Sequence, residues 1–243
     1  MTFKHACVKI PALIFVLMGS GISGVYAQNA APDTLLYSKT ATQVIDYFNQ
    51  SVANQSELYN GAQYDLYPPA NKGTFYFQDK NYCIPGLICY SGTWYKNIPV
   101  LYDVYNDVMI SVLGSNLYVL RTGKVSDIYL LDHHFIYLTD SQGILAPGYY
   151  DQLYQGRSRV LVRRTKLIDE SKSTEVVYED RTAIYVKKSD KYYEVTGIGA
   201  LMDIFKDKKK ELNQYLKDNK IKYSRDKEGA VARLAGYYDV ISK

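Results

Sequence analysis

The sequence predicts an α+β protein, mainly antiparallel β, barrel-like or a sandwich, with an N-terminal helix and a C-terminal segment of three helices. Three observations carry this. Over roughly 120 residues from Thr74, short runs of Val, Ile, Tyr and Phe alternate with Gly, Asn and Asp, as half-buried strands joined by tight turns do. Apolar residues return to helical spacing only at the two ends. The chain also holds 26 Tyr against 7 Phe and 1 Trp among 243 residues, and tyrosine suits pleated positions where the ring packs and the hydroxyl reaches water or a partner. A platform for sugars or aromatic ligands is the other use of exposed tyrosines.

Residues 1–27 read as a secretory signal. Lys4 and Lys9 precede the apolar run Ile10–Leu17, and Val25-Tyr26-Ala27 supplies small residues at the cleavage position. The run is broken by Pro11, Gly19, Ser20 and Gly21, too short to span a bilayer of ~30 Å as a helix. Cys7 stands before it, the wrong side for a lipid-accepting cysteine. The mature chain is expected to begin at Gln28, to be exported to the periplasm, the outer-membrane surface or the medium, and to hold no transmembrane helix.

Residues 28–61 form a helical lead. Val44, Ile45, Phe48, Val52, Leu58 and Tyr59 fall at helical intervals over Thr40–Tyr59, and Asn60-Gly61 is the stop. Residues 62–196 form the β domain. Its expected strands are Thr74–Gln78, Leu87–Tyr90, Thr93–Ile98, Val100–Tyr105, Val108–Leu113, Leu117–Thr122, Lys124–Leu130, Phe135–Thr139, Gly148–Tyr154, Arg159–Leu167, Glu175–Tyr178, Ala183–Lys187 and Tyr192–Val195. Turns are expected at Pro85-Gly86, Ser91-Gly92, Asn106-Asp107, Gly114-Ser115-Asn116 and Thr122-Gly123-Lys124. Loops this short exclude parallel crossovers, and so many strands close into a barrel or split into two sheets to manage their edges.

Residues 197–243 form a basic helical segment packed on the β domain. Ile198, Leu201, Met202 and Phe205 make one stripe, Leu212, Tyr215 and Leu216 a second, and Val231, Leu234, Ala235, Tyr238 and Ile241 a third. Asp207 and either Ser224 or Asp226 stand as N-caps, with Asn219 as a stop.

Charge is unevenly spread. Lys187–Lys243 carries 14 Lys+Arg against 9 Asp+Glu, while Gln28–Val186 carries 13 against 16. Lys208, Lys209, Lys210, Lys217 and Lys220 are the candidate contacts for an anionic envelope partner or surface; a solvated helix face with interleaved acids is the plainer reading. Nucleic acid is disfavoured as a partner, because export removes it, and none is expected.

Cys83 and Cys89 permit a disulfide in an oxidising compartment if Pro85-Gly86-Leu87 makes a three-residue loop that sets them opposite one another. A two-residue loop would point the sulfurs to opposite faces. Five intervening residues and strand-like surroundings speak against a redox pair. His133 and His134 are adjacent, so in a strand they face opposite ways; Asp132 shares a face with His134, and Asp127, Asp140 or Asp151 would have to complete a metal site. No Gly-x-Ser-x-Gly elbow, phosphate loop or His-Glu-x-x-His helix occurs, and no cofactor is expected. Asp103 and Asp107 flank a turn and are the pair a glycan hydrolase would draw on.

The strings Asn54-Gln-Ser-Glu-Leu-Tyr-Asn-Gly61, Val100-Leu-Tyr-Asp-Val104, Asp132-His-His-Phe135, Gly148-Tyr-Tyr-Asp-Gln-Leu-Tyr154, Val160-Leu-Val-Arg-Arg-Thr165 and Asp207-Lys-Lys-Lys-Glu-Leu212 together resemble a family of exported proteins of Bacteroidetes-type Gram-negative bacteria. The resemblance spans nearly all of the mature chain in order. It implies export, and it supplies no catalytic residue; the Cys83/Cys89 pair is not part of its pattern. The functional expectation is a non-catalytic envelope component that binds or assembles with a partner, the alternatives being a carrier of a small apolar or aromatic ligand and a glycan hydrolase.

Overall fold

In the computed structural model, residues 57–66, 72–168 and 176–242 are described. The expected signal and most of the expected N-terminal helix lie outside them; of Thr40–Tyr59, Glu57–Tyr59 forms one 3-10 turn.

Ten strands make a single antiparallel sheet: β1 (Ile84–Tyr90), β2 (Thr93–Asp103), β3 (Val108–Leu113), β4 (Asn116–Val119), β5 (Val125–Leu130), β6 (His133–Leu138), β7 (Gly148–Gln155), β8 (Arg159–Ile168), β9 (Tyr178–Lys188) and β10 (Lys191–Glu194). Their spatial order is β10-β9-β8-β7-β6-β5-β1-β2-β3-β4. Two meanders therefore grow outward in opposite directions from a central β1/β5 pair. The expectation of a closed barrel or two packed sheets is corrected: this is one continuous sheet whose two edge strands do not pair with each other. It curls instead. Tyr102 on β2 and Tyr149 on β7 are four strand positions apart, about 19 Å on a flat sheet at ~4.8 Å per step, yet their ring centroids lie 5.8 Å apart.

The edges are blunted by other means. Residues 62–64 run along β4, with Val119 N donating to Ala62 O at 2.9 Å and Tyr64 N to Leu117 O at 2.8 Å. β10 is only four residues long and begins and ends on a charge, which limits templating.

The Pro85-Gly86 turn is also corrected, since both residues lie inside β1. Pro85 pairs with Pro99, so the two missing N–H groups coincide at one position of the ladder instead of removing bonds at two. Gly86 opens a bulge there, where a Cβ would stand 3.1 Å from Tyr129 O and from Val100 Cγ2. The β1–β2 reversal falls at Ser91-Gly92, both with positive φ. Thr74–Gln78 is no strand: Tyr76 makes one bridge to Asp103, then a 3-10 turn follows at Phe77–Asp79.

The inner face of the curl carries the main core, with Ile88, Val100, Tyr102, Met109, Ile128, Phe135 and Tyr149 closed off by Leu58 and Phe77. Further along that face, Val160, Val162, Ile184 and Val186 meet the C-terminal helices α1 (Ile198–Ile204), α2 (Lys209–Asp218) and α3 (Lys227–Ile241) through Leu201, Phe205, Leu212, Val231 and Leu234. Burial of each such side chain stabilises by about 1.5–3 kcal/mol. Asp226 caps α3, accepting from Gly229 N at 2.8 Å, and Asn219 ends α2. Asp207 is not a cap; its carboxylate takes Lys188 at 2.5 Å and the Tyr238 hydroxyl at 3.0 Å. Among the described residues no helix is long and apolar enough to cross a membrane.

Candidate functional site

Between the two apolar clusters of the inner face runs a polar seam, built where β6, β7 and β8 present residues at matching register. Phe135 pairs with Asp151, and Asp151 with Val162, which brings His133 and Arg164 to either side of Asp151 on one face. His133 Nδ1 donates to Asp151 Oδ2 at 2.6 Å. Arg164 Nε donates to the same oxygen at 3.0 Å, with a second, shorter contact through Nη2. The guanidinium then reaches α3, donating to both Glu228 carboxylate oxygens at 3.1 and 2.8 Å, and stacks over the Phe77 ring at 5.5 Å. Burial works against ionisation of Asp151, whose side chain is 1% exposed, but the hydrogen bond from His133 and the charge of Arg164 outweigh it and hold the carboxyl below its ordinary value.

A second buried cation continues the seam. Lys166, 1% exposed, ion-pairs with Asp79 at 2.6 Å and Asp180 at 3.3 Å. Asp79 also accepts from Thr74 N and Oγ1. Although partial burial opposes it, Lys166 and Thr74 keep this carboxyl below its usual range. Gln78 and Asp79 both have left-handed φ, 51° and 53°, a costly pair of conformations. The strain is repaid by two contacts at once: Asp79 on Lys166, and Gln78 Nε2 donating to His133 Nε2 at 3.1 Å. Asp132 Oδ1 lies 3.2 Å from that same ring nitrogen. Neutral His133 accepts from Gln78; a protonated ring donates to Asp132.

Chemically this is a His–Asp–Arg–Glu clamp. His133 Nε2 is occupied by Gln78 and Asp132, so the dyad activates no side-chain nucleophile among the described residues. Its effect is to pin the turn at 77–79 and the first turn of α3 to the sheet.

The histidines separate as strand geometry requires. His134 faces outward, donating from Nε2 to Asp127 at 2.8 Å. Of the carboxylates weighed as metal ligands, Asp151 serves His133 and Asp127 serves His134; no group of three or more His, Cys, Asp or Glu among the described residues could hold a metal ion. Asp103 and Asp107 do not form an exposed acid pair. Asp103 is buried and accepts from Tyr64 and Asn106, while Asp107 accepts from Tyr102, Tyr149 N and Arg163.

The possible Cys83–Cys89 disulfide is not formed: both thiols are free. With Pro85-Gly86 in the strand, the chain between them is extended over six residues at ~3.3 Å each, far beyond the ~7 Å Cα limit for a bridge.

The basic segment sorts into paired and unpaired cations. Lys208 approaches Glu211 at 3.7 Å and Lys209 pairs with Asp203 at 3.1 Å. Lys210, Lys217 and Lys220 are exposed and make no ion pair among the described residues. On α2, Lys210 and Lys217 are seven residues apart, two turns on one line, directly opposite the stripe of Leu212, Tyr215 and Leu216 packed on the helical core. Asn213 and Gln214 flank them, leaving a cationic ridge free of carboxylates at its centre.

Arg164, Lys166 and Glu228 carried no sequence signal. Arg164 and Glu228 are 64 residues apart, and only the register of β6–β8 and the seating of α3 bring them together. No family model, no curated protein and no solved structure matches the chain.

Proposed function

We propose that this is an exported, non-catalytic component of the cell envelope that binds an anionic partner or surface through the outward ridge of α2. The observation that carries this reading is the ridge itself: Lys210 and Lys217, exposed, aligned and without acidic partners among the described residues. A lysine ridge of this kind attracts anions over roughly a Debye length, ~8 Å at physiological salt. The clamp supports the same reading, because it spends the His–Asp pair on holding α3, against which α2 packs, and leaves it no side-chain nucleophile to activate among the described residues.

The carrier reading loses support from the filling of the inner face by Tyr102, Phe135, Tyr149 and Phe77. The hydrolase reading loses its acids to Tyr64, Asn106, Tyr102 and Arg163.

Co-sedimentation of the purified protein with isolated envelopes tests the proposal. Association at low salt, released by added salt and sharply reduced in Lys210→Glu/Lys217→Glu, is the expected result. Envelope association that is unchanged in the double variant overturns it.

A further inference from the structure

The outer face of the sheet, opposite the helices, is covered at β2–β3 by residues 62–64 and 74–76 and near β10 by residues 142–145. Between these covers it is open, and what it presents is ordered. Trp94 and Tyr129 are 49% and 43% exposed, their ring centroids 6.0 Å apart. Tyr129 lies opposite His134 in the β5/β6 register, and the two rings stack at 4.2 Å, 8° from parallel. From His134 a one-way hydrogen-bond chain crosses two more strands. Arg159 Nε donates to Gln152 Oε1 at 2.6 Å, Gln152 Nε2 donates to His134 Nδ1 at 3.2 Å, and His134 Nε2 donates to Asp127 at 2.8 Å.

That chain fixes the His134 tautomer and the Gln152 amide orientation, so the row is organised in advance. Its ends remain open: the two terminal amino groups of Arg159 and the second oxygen of Asp127 make no hydrogen bond among the described residues. From the β2 to the β8 strand the row covers about 24 Å along the sheet surface at ~4.8 Å per strand. Beyond it, Arg159 pairs across strands with Lys187, which lines a groove of about 490 Å³ together with Gln142, Ile144 and Tyr192.

We propose that this row is a binding site for a glycan chain. A sugar ring offers an apolar C–H face to an aromatic plane and a rim of hydroxyls to planar donors and acceptors. Trp94 and the Tyr129 face not taken by His134 supply the planes; Asp127 and Arg159, the open ends of the chain, supply the rim contacts, and the groove takes the next units of the chain. The alternatives match less well. Single-stranded nucleic acid would bring one phosphate per stacked base, and the row offers one unpaired cation, with a carboxylate at its ring end. A protein interface of ordinary size needs about 800 Å² per partner with an apolar centre, and two exposed rings flanked by charge do not provide that. The site is on the opposite face of the sheet from α2 and does not depend on the ridge being a binding surface.

Trp94 is the chain's single tryptophan, so fluorescence excited at the red edge, where its 26 tyrosines do not absorb, reports on this site alone. The full chain is titrated with cellohexaose, chitohexaose and xylohexaose in turn, with calorimetry in parallel. The expected result is a saturable blue shift with at least one hexasaccharide, insensitive to salt, unlike the envelope association of α2. Tyr129→Phe keeps the stacking plane and binds as the parent does, whereas Tyr129→Ala and Arg159→Gln each weaken binding about tenfold or more. Arg159→Gln, a surface change, guards against loss of fold in the alanine variant. Absence of a saturable response to all three sugars overturns the proposal. So does binding that survives both weakening substitutions, or a shift that follows protein concentration alone and marks self-association.

Discussion

Asp151→Asn removes one charge from the centre of the clamp while keeping its shape. In the parent, one oxygen of Asp151 accepts from His133 at 2.6 Å and from Arg164 through Nε and Nη2. Each charge-assisted bond is worth about 1.5–3 kcal/mol, and the substitution leaves Arg164, itself largely buried, with Glu228 as its remaining partner. Breaking one side of such a buried pair costs about 3–5 kcal/mol, against a total stability of about 5–15 kcal/mol for a domain. With a urea slope of ~2 kcal/mol per molar, the unfolding midpoint falls by about 1.5–2.5 M. The sign of the pH dependence follows from the direction of the shift. The Asp151 carboxyl is held below its unfolded value, so its contribution is complete above the unfolded pKa of about 3.9 and is lost as pH falls through the folded value. The gap between parent and variant therefore narrows as the medium is acidified. Urea unfolding at neutral pH and near pH 3, followed by far-UV circular dichroism, checks both statements. A cost below about 1 kcal/mol at neutral pH, or one independent of pH, would refute the assignment of Asp151 as the keystone of the seam.

Of the four depressed carboxyls among the described residues, Asp190 is fully exposed, so acid sensitivity of the parent should be shared among the other three: Asp151, Asp79 paired with Lys166, and Asp207 paired with Lys188 and Tyr238. A scan of melting temperature against pH should be flat near neutrality and fall steeply below about pH 4, and Lys166→Met should remove part of that fall. Gly61→Ala places a Cβ 1.7 Å from Val119 O, so it should strip residues 62–64 from the β4 edge; faster amide exchange at Val119 than in the parent is the measurement. Because Cys83 and Cys89 are both free, reductant should leave the melting temperature unchanged, and thiol titration of unfolded, unreduced protein should count both.

The β character of residues 84–168 and 178–194 was legible because short-period alternation and turn residues are local signals. Val108–Leu113 is predicted and observed with the same bounds. Where the reading failed, a partner strand made the difference. Pro85-Gly86 has the composition of a turn, and nothing near it in sequence announces Pro99 as its opposite number. The same pairing lets Thr93–Ile98 and Val100–Tyr105 run on as one strand through Pro99. Tyr178, the last residue of the expected strand Glu175–Tyr178, and Ala183–Lys187 fall in one strand because Glu179, Asp180 and Arg181 pair with Leu167, Lys166 and Thr165 of β8; their charges, which look like loop, are an exposed stretch of strand. The opposition of His133 and His134 follows from period two alone. Their carboxylate partners depend on register between strands, which a single sequence does not contain. The cationic character of the last helices was visible as composition. Which lysines are neutralised was not, since Lys209 depends on Asp203 at the end of α1.

The order of strands also bears on how the chain reaches this state. Within each meander, neighbours in space are neighbours in sequence, so β1–β4 and β5–β10 can each form by closing short loops, at little entropic cost. The joint between them is different: Leu87 meets Tyr129 and Ile88 meets Ile128, a closure of some forty residues on which the whole inner face depends. Contacts of such separation set the rate in β proteins. Truncating Ile88 or Ile128 should therefore slow refolding, whereas truncating Val186 in β9 should chiefly hasten unfolding. On this topology the two meanders are expected to form separately, with commitment to the native state made where β1 and β5 meet.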